Sequence, residues 1–172
     1  METASSTVGM TGIIDPRGGW RATSCPIAGA IDVVGVRSAF LLLREAFYGT
    51  TRFDDFAERV GVSQPVAAAR LRALVDEGLL MRVPYRDQGQ RTRMEYRLTE
   101  KGTAFFPVLA ALMQWGERWV GPSGMELRHR ECGEAVHAEL RCRQGHPVPV
   151  TAIDLVATDG PVAAIDLVVS DQ

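Results

Sequence analysis

No stretch of this 172-residue sequence approaches 18 consecutive apolar residues, so a membrane-spanning helix is not expected. A basic segment followed by an apolar one is also missing at the N-terminus, which argues against a secretory signal. The three cysteines, Cys25, Cys132 and Cys142, are an odd number, and this disfavours a disulfide scaffold. We therefore expect a cytoplasmic protein with reduced thiols and no membrane partner.

Sequence signatures of the common enzyme classes are missing as well. There is no glycine-rich phosphate loop, no serine-centred nucleophile elbow and no Cys-x2-Cys motif. These gaps favour a protein that is not an enzyme and that carries no catalytic residues.

Lysine is nearly absent too, because Lys101 is the only one in the chain. The positive charge is therefore almost entirely arginine, and it is unevenly distributed. Residues 37–97 contain eleven arginines against eight acidic residues, whereas residues 121–172 contain four arginines against eight acidic residues. The overall net charge of -2 conceals this asymmetry, which is typical of a protein with one nucleic-acid-facing half.

Composition predicts one globular domain with additions at both ends. Hydrophobic residues make up 46% of the chain and charged residues 23%, which is enough for a packed core. Residues 1–22 are rich in Ser, Thr and Gly and predict a flexible leader. Residues 23–120 form the predicted main domain, and residues 121–172 form a small β-rich extension, in which Ala-Ile-Asp-Leu-Val occurs twice around Thr158-Asp159-Gly160-Pro161.

Apolar periodicity in the main domain predicts five helices and two strands. The helices lie at about 27–34, 37–47, 52–60, 64–77 and 100–119, and the strands at about 79–84 and 93–98. Thr51, Ser63 and Thr99 are predicted N-caps, and Pro107 is predicted to bend the last helix. The third and fourth helices are separated only by Gly61-Val62-Ser63, which is the spacing of a helix-turn-helix.

A hairpin that directly follows such a pair of helices predicts a winged helix-turn-helix. The expected fold class is therefore α+β, mainly helical, with a β-hairpin wing. In this arrangement the second helix of the pair reads base edges in the major groove of double-stranded DNA, and the hairpin contacts the backbone. Gln is suited to adenine and Arg to guanine. The candidate DNA-binding residues are Ser63, Gln64, Ala68, Arg70 and Arg72 on the helix, and Arg86, Arg91 and Arg93 on the hairpin.

Two alternatives remain open at this point. The arginines of the fourth helix, Arg72 in particular, are equally consistent with a solvated helix face. A winged helix can also serve as a protein-interaction module without DNA binding, although the arginine-rich hairpin disfavours this alternative.

The last helix predicts a homodimer. Its apolar row of Phe105, Leu109, Leu112, Trp115 and Trp119 is larger than one small domain can cover. A two-fold interface would bury this row, and such a dimer would bind a pseudo-palindromic operator.

Several motifs, in order and with matching spacing over residues 24–120, resemble the HxlR-type winged helix-turn-helix regulators. They are Cys25-Pro26-Ile27, Leu42-Leu43-Arg44-Glu45, Arg52-Phe53, Val62-Ser63-Gln64-Pro65, Glu77-Gly78-Leu79-Leu80, Glu95 to Gly102, and Trp115-Gly116-Glu117-Arg118-Trp119. The resemblance implies a homodimeric bacterial or archaeal transcription regulator, often a repressor, that dimerises through its first and last helices. One departure is Gly35-Val36-Arg37, where the family usually has Gly-Lys-Trp.

Cys25 has two open interpretations. It lies at the start of the first helix, where the helix dipole favours a thiolate. In HxlR-type regulators that sense oxidants or electrophiles, a cysteine at this position is the sensing thiol, so the resemblance implies that Cys25 responds to an oxidant or small-molecule effector. The other interpretation is an inert thiol packed at the dimer interface.

The extension contains a second candidate site, a zinc centre. His129, Cys132, Cys142 and His146 offer four zinc-type donors within 18 residues. Gly145 stands where a second Cys-x2-Cys pair would have its cysteine, and this weakens the pattern. We expect no obligatory cofactor, with zinc as the alternative.

Overall fold

The computed structural model describes residues 7–11, 20–22, 25–86, 88–89, 91–156 and 165–167. It divides into two compact units. One comprises residues 30–138, and the other comprises the described parts of residues 1–29 and 139–172.

The first unit contains a helical core and a hairpin. Helix α1, Pro26–Val34, belongs to it from residue 30 onward. Three more helices follow: α2, Arg37–Phe47, α3, Phe53–Val60, and α4, Gln64–Asp76. Strands β3, Leu80–Tyr85, and β4, Arg93–Leu98, form the hairpin. Helices α5, Glu100–Thr103, and α6, Phe106–Trp119, follow the hairpin.

Leucines of α2, α4 and β3, together with Phe56 of α3, build the core. Helix α2 contacts both α3 and α4, and α4 contacts β3. The largest fully buried side chains are Phe56, Leu42, Leu43, Leu71, Leu74 and Leu80. The helix-period spacing of these residues places one apolar face of each helix inward, as predicted.

The loop after α4 is held by side chains of the segment that follows β4. The Thr99 hydroxyl accepts a hydrogen bond from the Gly102 amide at 3.0 Å, so the predicted N-cap is confirmed. The only lysine, Lys101, donates to the Glu77 carbonyl at 2.6 Å at the C-terminus of α4, where a cation is favoured.

Two local predictions are wrong. Residue 52, not Thr51, is the N-cap of α3, because the Thr51 carbonyl accepts the Tyr96 amide at 2.8 Å and so belongs to the hairpin. The predicted helix at 100–119 is two helices, since Pro107 has no amide hydrogen and its ring would clash with the carbonyl of Thr103.

The hairpin is a regular antiparallel pair whose register runs from Leu80 opposite Leu98 to Tyr85 opposite Arg93. Glu95 is buried within it. The hydrogen bond from Arg97, whose Nε lies 2.7 Å from Glu95 Oε1, is the main cause that lowers the pKa of this carboxyl, with smaller contributions from Thr51 and Arg52. The Glu95–Arg97 pair therefore stabilises the folded state above the pKa of the unfolded carboxyl, and this stabilisation is lost as the pH falls through the folded pKa.

The second unit joins the two ends of the sequence. Strand β1, Gly9–Thr11, pairs in parallel with β5, Asp154–Val156, and β2, Trp20–Ala22, pairs antiparallel with β6, Ile165–Leu167. The segment predicted to be a flexible leader, residues 1–22, contains the two short strands β1 and β2. The repeated Ala-Ile-Asp-Leu-Val motifs do contribute one strand each, but their partners come from the N-terminal segment, and the predicted turn at 158–161 lies outside the described residues.

None of the helices that the structure describes is by itself long and apolar enough to span a membrane. Helices α1 and α2 meet the length and composition criteria only when taken together, as a pair bent by 79°.

Candidate nucleic-acid interface

The candidate interface is built on the turn between α3 and α4. Gly61 adopts a left-handed conformation with φ of 68°, and its amide donates to the Ala57 carbonyl at 3.0 Å, which ends α3. Residues with a Cβ are strained in this conformation, so glycine is favoured here. Ser63 then takes the extended N-cap conformation that begins α4, with Pro65 in the first turn.

Helix α4 has a buried face and an exposed face. Ala67, Leu71 and Leu74 are buried against the core. Ser63 and Gln64 are exposed at the N-terminus of the helix, and Ala68 is half-buried. The Gln64 amide group lies 3.5 Å from Asp54 Oδ1 of α3, a long contact that leaves it able to turn toward a ligand.

The two arginines of α4 lie in different environments. Arg72 is exposed, one turn after the exposed Ala69. Arg70 is half-buried and lines a cavity of about 230 Å³ together with Asp32, Asp76 and Glu77. The same cavity is lined by Val36, which stands where the family usually has lysine. The two arginines, both predicted to bind DNA, therefore differ in exposure.

The hairpin carries the other predicted cations. Arg86, Arg91 and Arg93 are exposed at the tip and at the first position of β4. Arg82 is also exposed on β3, although it was not among the predicted DNA-binding residues. The guanidinium of Arg97 differs, because its Nη2 lies 2.7 Å from the Glu95 carboxylate.

Helix α3 and the hairpin are joined by Arg52. Its guanidinium carbon lies 4.9 Å from the centre of the Tyr85 ring, a cation–π arrangement. Neither Arg52 nor the exposed Arg59 of α3 was predicted as a site residue. Their spacing in the sequence gives no signal for this role, since it depends on how α3 packs beside the hairpin.

An apolar cavity of about 410 Å³ lies between α2, α6 and the segment that follows α6. Aromatic rings of Phe40, Phe47, Phe106 and Trp115 contribute to its wall. The segment that follows α6 is tied to that helix by Glu117, whose carboxylate accepts hydrogen bonds from the amide and the hydroxyl of Ser123.

All three cysteines are free and exposed. Cys25 directly precedes α1, as predicted, and its carbonyl accepts the Gly29 amide at 3.0 Å. Its accessible position in the single chain is consistent with either of the two interpretations given above.

The predicted zinc ligands belong to two turns of similar construction. In one, Arg128 donates to the Gly133 carbonyl, and His129 Nδ1 lies 3.2 Å from Cys132 Sγ. In the other, Arg141 donates to the Gly145 carbonyl, and the Cys142 amide donates to the His146 carbonyl at 3.0 Å.

Within the described residues, no group of three or more His, Cys, Asp and Glu side chains is placed to hold a metal ion. The four-residue zinc site therefore stays a prediction. Metal analysis of the purified protein tests it, because well under one zinc per chain would refute it.

Comparison with known proteins agrees with the helix-turn-helix formed by α3 and α4. Residues 33–124 match the HxlR-like helix-turn-helix family. An HTH-type transcriptional regulator of Mycobacterium tuberculosis is 41% identical over 77% of this chain and 84% of its own length. An HTH-type transcriptional regulator of Bacillus subtilis, YvaP, is 31% identical over 56% of this chain and 89% of its own length.

Solved structures agree with the fold. The crystal structure of PA1607, described as a transcription factor, is 40% identical, with a TM-score of 0.63 over 73% of this chain and 89% of that chain. The redox regulator HypR in its oxidized form is 28% identical, with a TM-score of 0.50 over 55% of this chain and 96% of that chain. The fold is thus a winged helix, and the chain belongs to the HxlR-like helix-turn-helix family of transcriptional regulators.

Proposed function

We propose that the protein is a sequence-specific DNA-binding regulator, acting in the cytoplasm as a homodimeric repressor on a pseudo-palindromic operator. The observation that carries this proposal is the shared exposure of the α4 N-terminus and the hairpin arginines, with Arg52 and Tyr85 in contact between α3 and the hairpin. Exposed residues at the start of a recognition helix suit base edges, and hairpin guanidinium groups suit phosphates or the minor groove.

The dimer part of the proposal rests on α6. Val108, Leu112, Trp115 and Trp119 are all exposed, from 49% to 65%, although each is large and apolar. Their spacing of four, three and four residues places them on one face of the helix. A second copy of the chain would remove this face from water, as in other two-fold interfaces.

The first experiment recovers the operator. Sheared genomic DNA is passed over the reduced, purified protein, and the retained fragments are sequenced. Enrichment of a few upstream regions that share a two-fold motif is the expected result. If the protein is instead a protein-interaction module, it should show no DNA affinity even at low salt. If it is a DNA-binding regulator, the logarithm of its DNA affinity should fall linearly with the logarithm of salt concentration.

Base reading is tested on that operator with three arginine variants. We propose that the exposed Arg72 contacts a base, so Arg72→Ala is expected to reduce the preference for the operator over single-base variants by roughly 10-fold or more. Arg91→Ala on the hairpin should weaken all sequences alike. Arg70→Ala tests the other predicted base-reading arginine of this helix, which is half-buried at the cavity that Asp32 and Glu77 also line, and it should reduce the same preference. An equal, sequence-independent loss for Arg72→Ala and Arg91→Ala would refute these roles.

Response to oxidants is proposed through Cys25. Support comes from its accessible thiol at the start of α1 and from the similarity to HypR, whose structure is described as that of a redox regulator. Addition of a thiol oxidant such as diamide should release the wild-type protein from its operator, and Cys25→Ser should stay bound. Cys132→Ser serves as the control for another exposed thiol. A Cys25→Ser protein that responds like wild type would exclude this role.

A small-molecule effector is the other proposed partner. The apolar cavity between α2 and α6 has the volume of a typical ligand site, and α2 contacts the recognition helix α4. A compound that occupies it should raise the melting temperature of the free protein and change operator affinity together. Compounds that stabilise the protein without any effect on DNA binding would argue against regulation through this cavity.

A further inference from the structure

We propose that a third cavity, at the start of α3, binds a phosphate of the DNA backbone, with Arg59 as its main ligand. This inference rests on the proposed function, since it adds a contact to the DNA interface. The cavity is lined by the loop of residues 48–51 and by Arg52, Asp55 and Arg59, and its volume is about 160 Å³. A water molecule in the liquid occupies about 30 Å³, so there is room for one tetrahedral anion and a few waters.

The cavity lies between the two elements that are proposed to contact DNA. On one side, Asp54 of α3 contacts Gln64, the first residue of α4, at 3.5 Å. On the other side, Arg52 stacks on Tyr85, next to the hairpin tip, and the Thr51 carbonyl accepts the Tyr96 amide. A duplex that contacts both the recognition helix and the hairpin therefore passes the start of α3.

Most polar groups of the cavity wall already have partners within the chain. The Thr50 hydroxyl donates to the buried Glu45 carboxylate at 3.3 Å. Arg52 contacts the Tyr85 ring and contributes to the low pKa of Glu95. Arg59 is instead an exposed guanidinium in the last turn of α3, with five donors suited to phosphate oxygens.

Asp55 lies one helical turn before Arg59 and faces the same cavity. Two explanations of this pair are available, and they make opposite predictions. If Arg59 only forms an i,i+4 pair with Asp55, the pair contributes little to stability and loss of the acid leaves DNA binding unchanged or weaker. If the cavity holds a phosphate, Asp55 repels it, and loss of the acid strengthens DNA binding.

The test uses the full chain and a random-sequence duplex of about three helical turns, so it does not require the operator. Affinity is measured by fluorescence anisotropy over a range of salt concentrations for wild type, Arg59→Gln and Asp55→Asn. Arg130→Gln is the matched control, because Arg130 is an exposed arginine in the turn at residues 128–133. Circular dichroism confirms that each variant is folded.

We expect Arg59→Gln to weaken binding about tenfold at low salt and to reduce the salt slope by about one per DNA-contacting chain. Asp55→Asn should tighten binding roughly two- to threefold, and Arg130→Gln should match wild type. The proposal is overturned if Arg59→Gln has the salt slope and DNA affinity of wild type, or if Asp55→Asn binds DNA more weakly than wild type. Neither result would contradict the regulator function. Wild-type protein that shows no salt-dependent binding overturns the proposed function itself.

A free anion is distinguished from a backbone phosphate in the same assay. Inorganic phosphate should compete with DNA no better than sulfate at equal ionic strength. Competition by phosphate that exceeds sulfate and disappears in Arg59→Gln would assign the cavity to a free phosphate ligand and overturn the proposal.

Discussion

Trp115→Glu is expected to convert the protein from dimer to monomer and to lower its affinity for a two-half-site operator by roughly 100-fold or more. The proposed interface would bury the introduced carboxylate without a partner, which is strongly unfavourable. The second half-site is then no longer bound as an intramolecular event, and this advantage is typically worth a factor of about 10²–10⁴. Light scattering or sedimentation measures the mass, and a gel-shift titration measures the affinity.

Trp115 lies on the exposed apolar face of α6. Trp115 is 58% exposed in the single chain, so the variant removes little of the core. Leu140→Glu is a suitable control, because Leu140 is 63% exposed outside α6 and receives the same charge. A Trp115→Glu protein that remains a dimer would place the interface elsewhere, and a monomer with full operator affinity would remove the need for a dimer.

Phe56→Ala is expected to have the largest effect on stability, about 3–5 kcal/mol. Phe56 is fully buried in α3, and its ring meets the Tyr96 ring edge-on with centroids 6.0 Å apart. Loss of the ring leaves a cavity where α3 packs against the hairpin. The two parts of the candidate DNA interface are then held less firmly relative to each other. Urea unfolding at neutral pH measures the change in the free energy of unfolding.

Phe53→Ala is the matched control for this prediction. Phe53 belongs to the same helix but is only half-buried, so its truncation removes less buried surface and should cost clearly less. An unfolding free energy for Phe56→Ala within about 1 kcal/mol of wild type would contradict the packing described for α3 and the hairpin.

Much of the candidate interface is encoded locally and could be predicted from the sequence. The bounds of α2 and β4 match their predicted ranges, since apolar periodicity is set by residues within one or two turns. Gly61 followed by Ser63 and Pro65 specifies the end of one helix and the beginning of the next. These signals, together with the family motifs, determined the winged helix-turn-helix and the class of regulator.

The side chains of the interface were only partly predictable. Arg70 and Arg72 are both candidates in the sequence, but in the folded chain, where α4 packs against α2, Arg72 is exposed and Arg70 is half-buried at a cavity that Asp32 and Glu77 also line. Arg59 has no sequence signal at all, because its cavity exists only when the loop after α2 lies beside α3. Which face of a helix meets solvent is decided by its neighbours.

The sequence by itself determined the helices, the hairpin, the turn between α3 and α4, and the presence of β-strands in the repeated Ala-Ile-Asp-Leu-Val motifs. The tertiary structure alone decided the partners of those strands, β1 and β2 from the N-terminal segment, and the attachment of Thr51 to the hairpin rather than to α3. The physical reason is the range of the interactions. Capping and periodicity act over a few residues, whereas strand pairing and cavity walls join residues that are far apart in the chain and follow no local pattern.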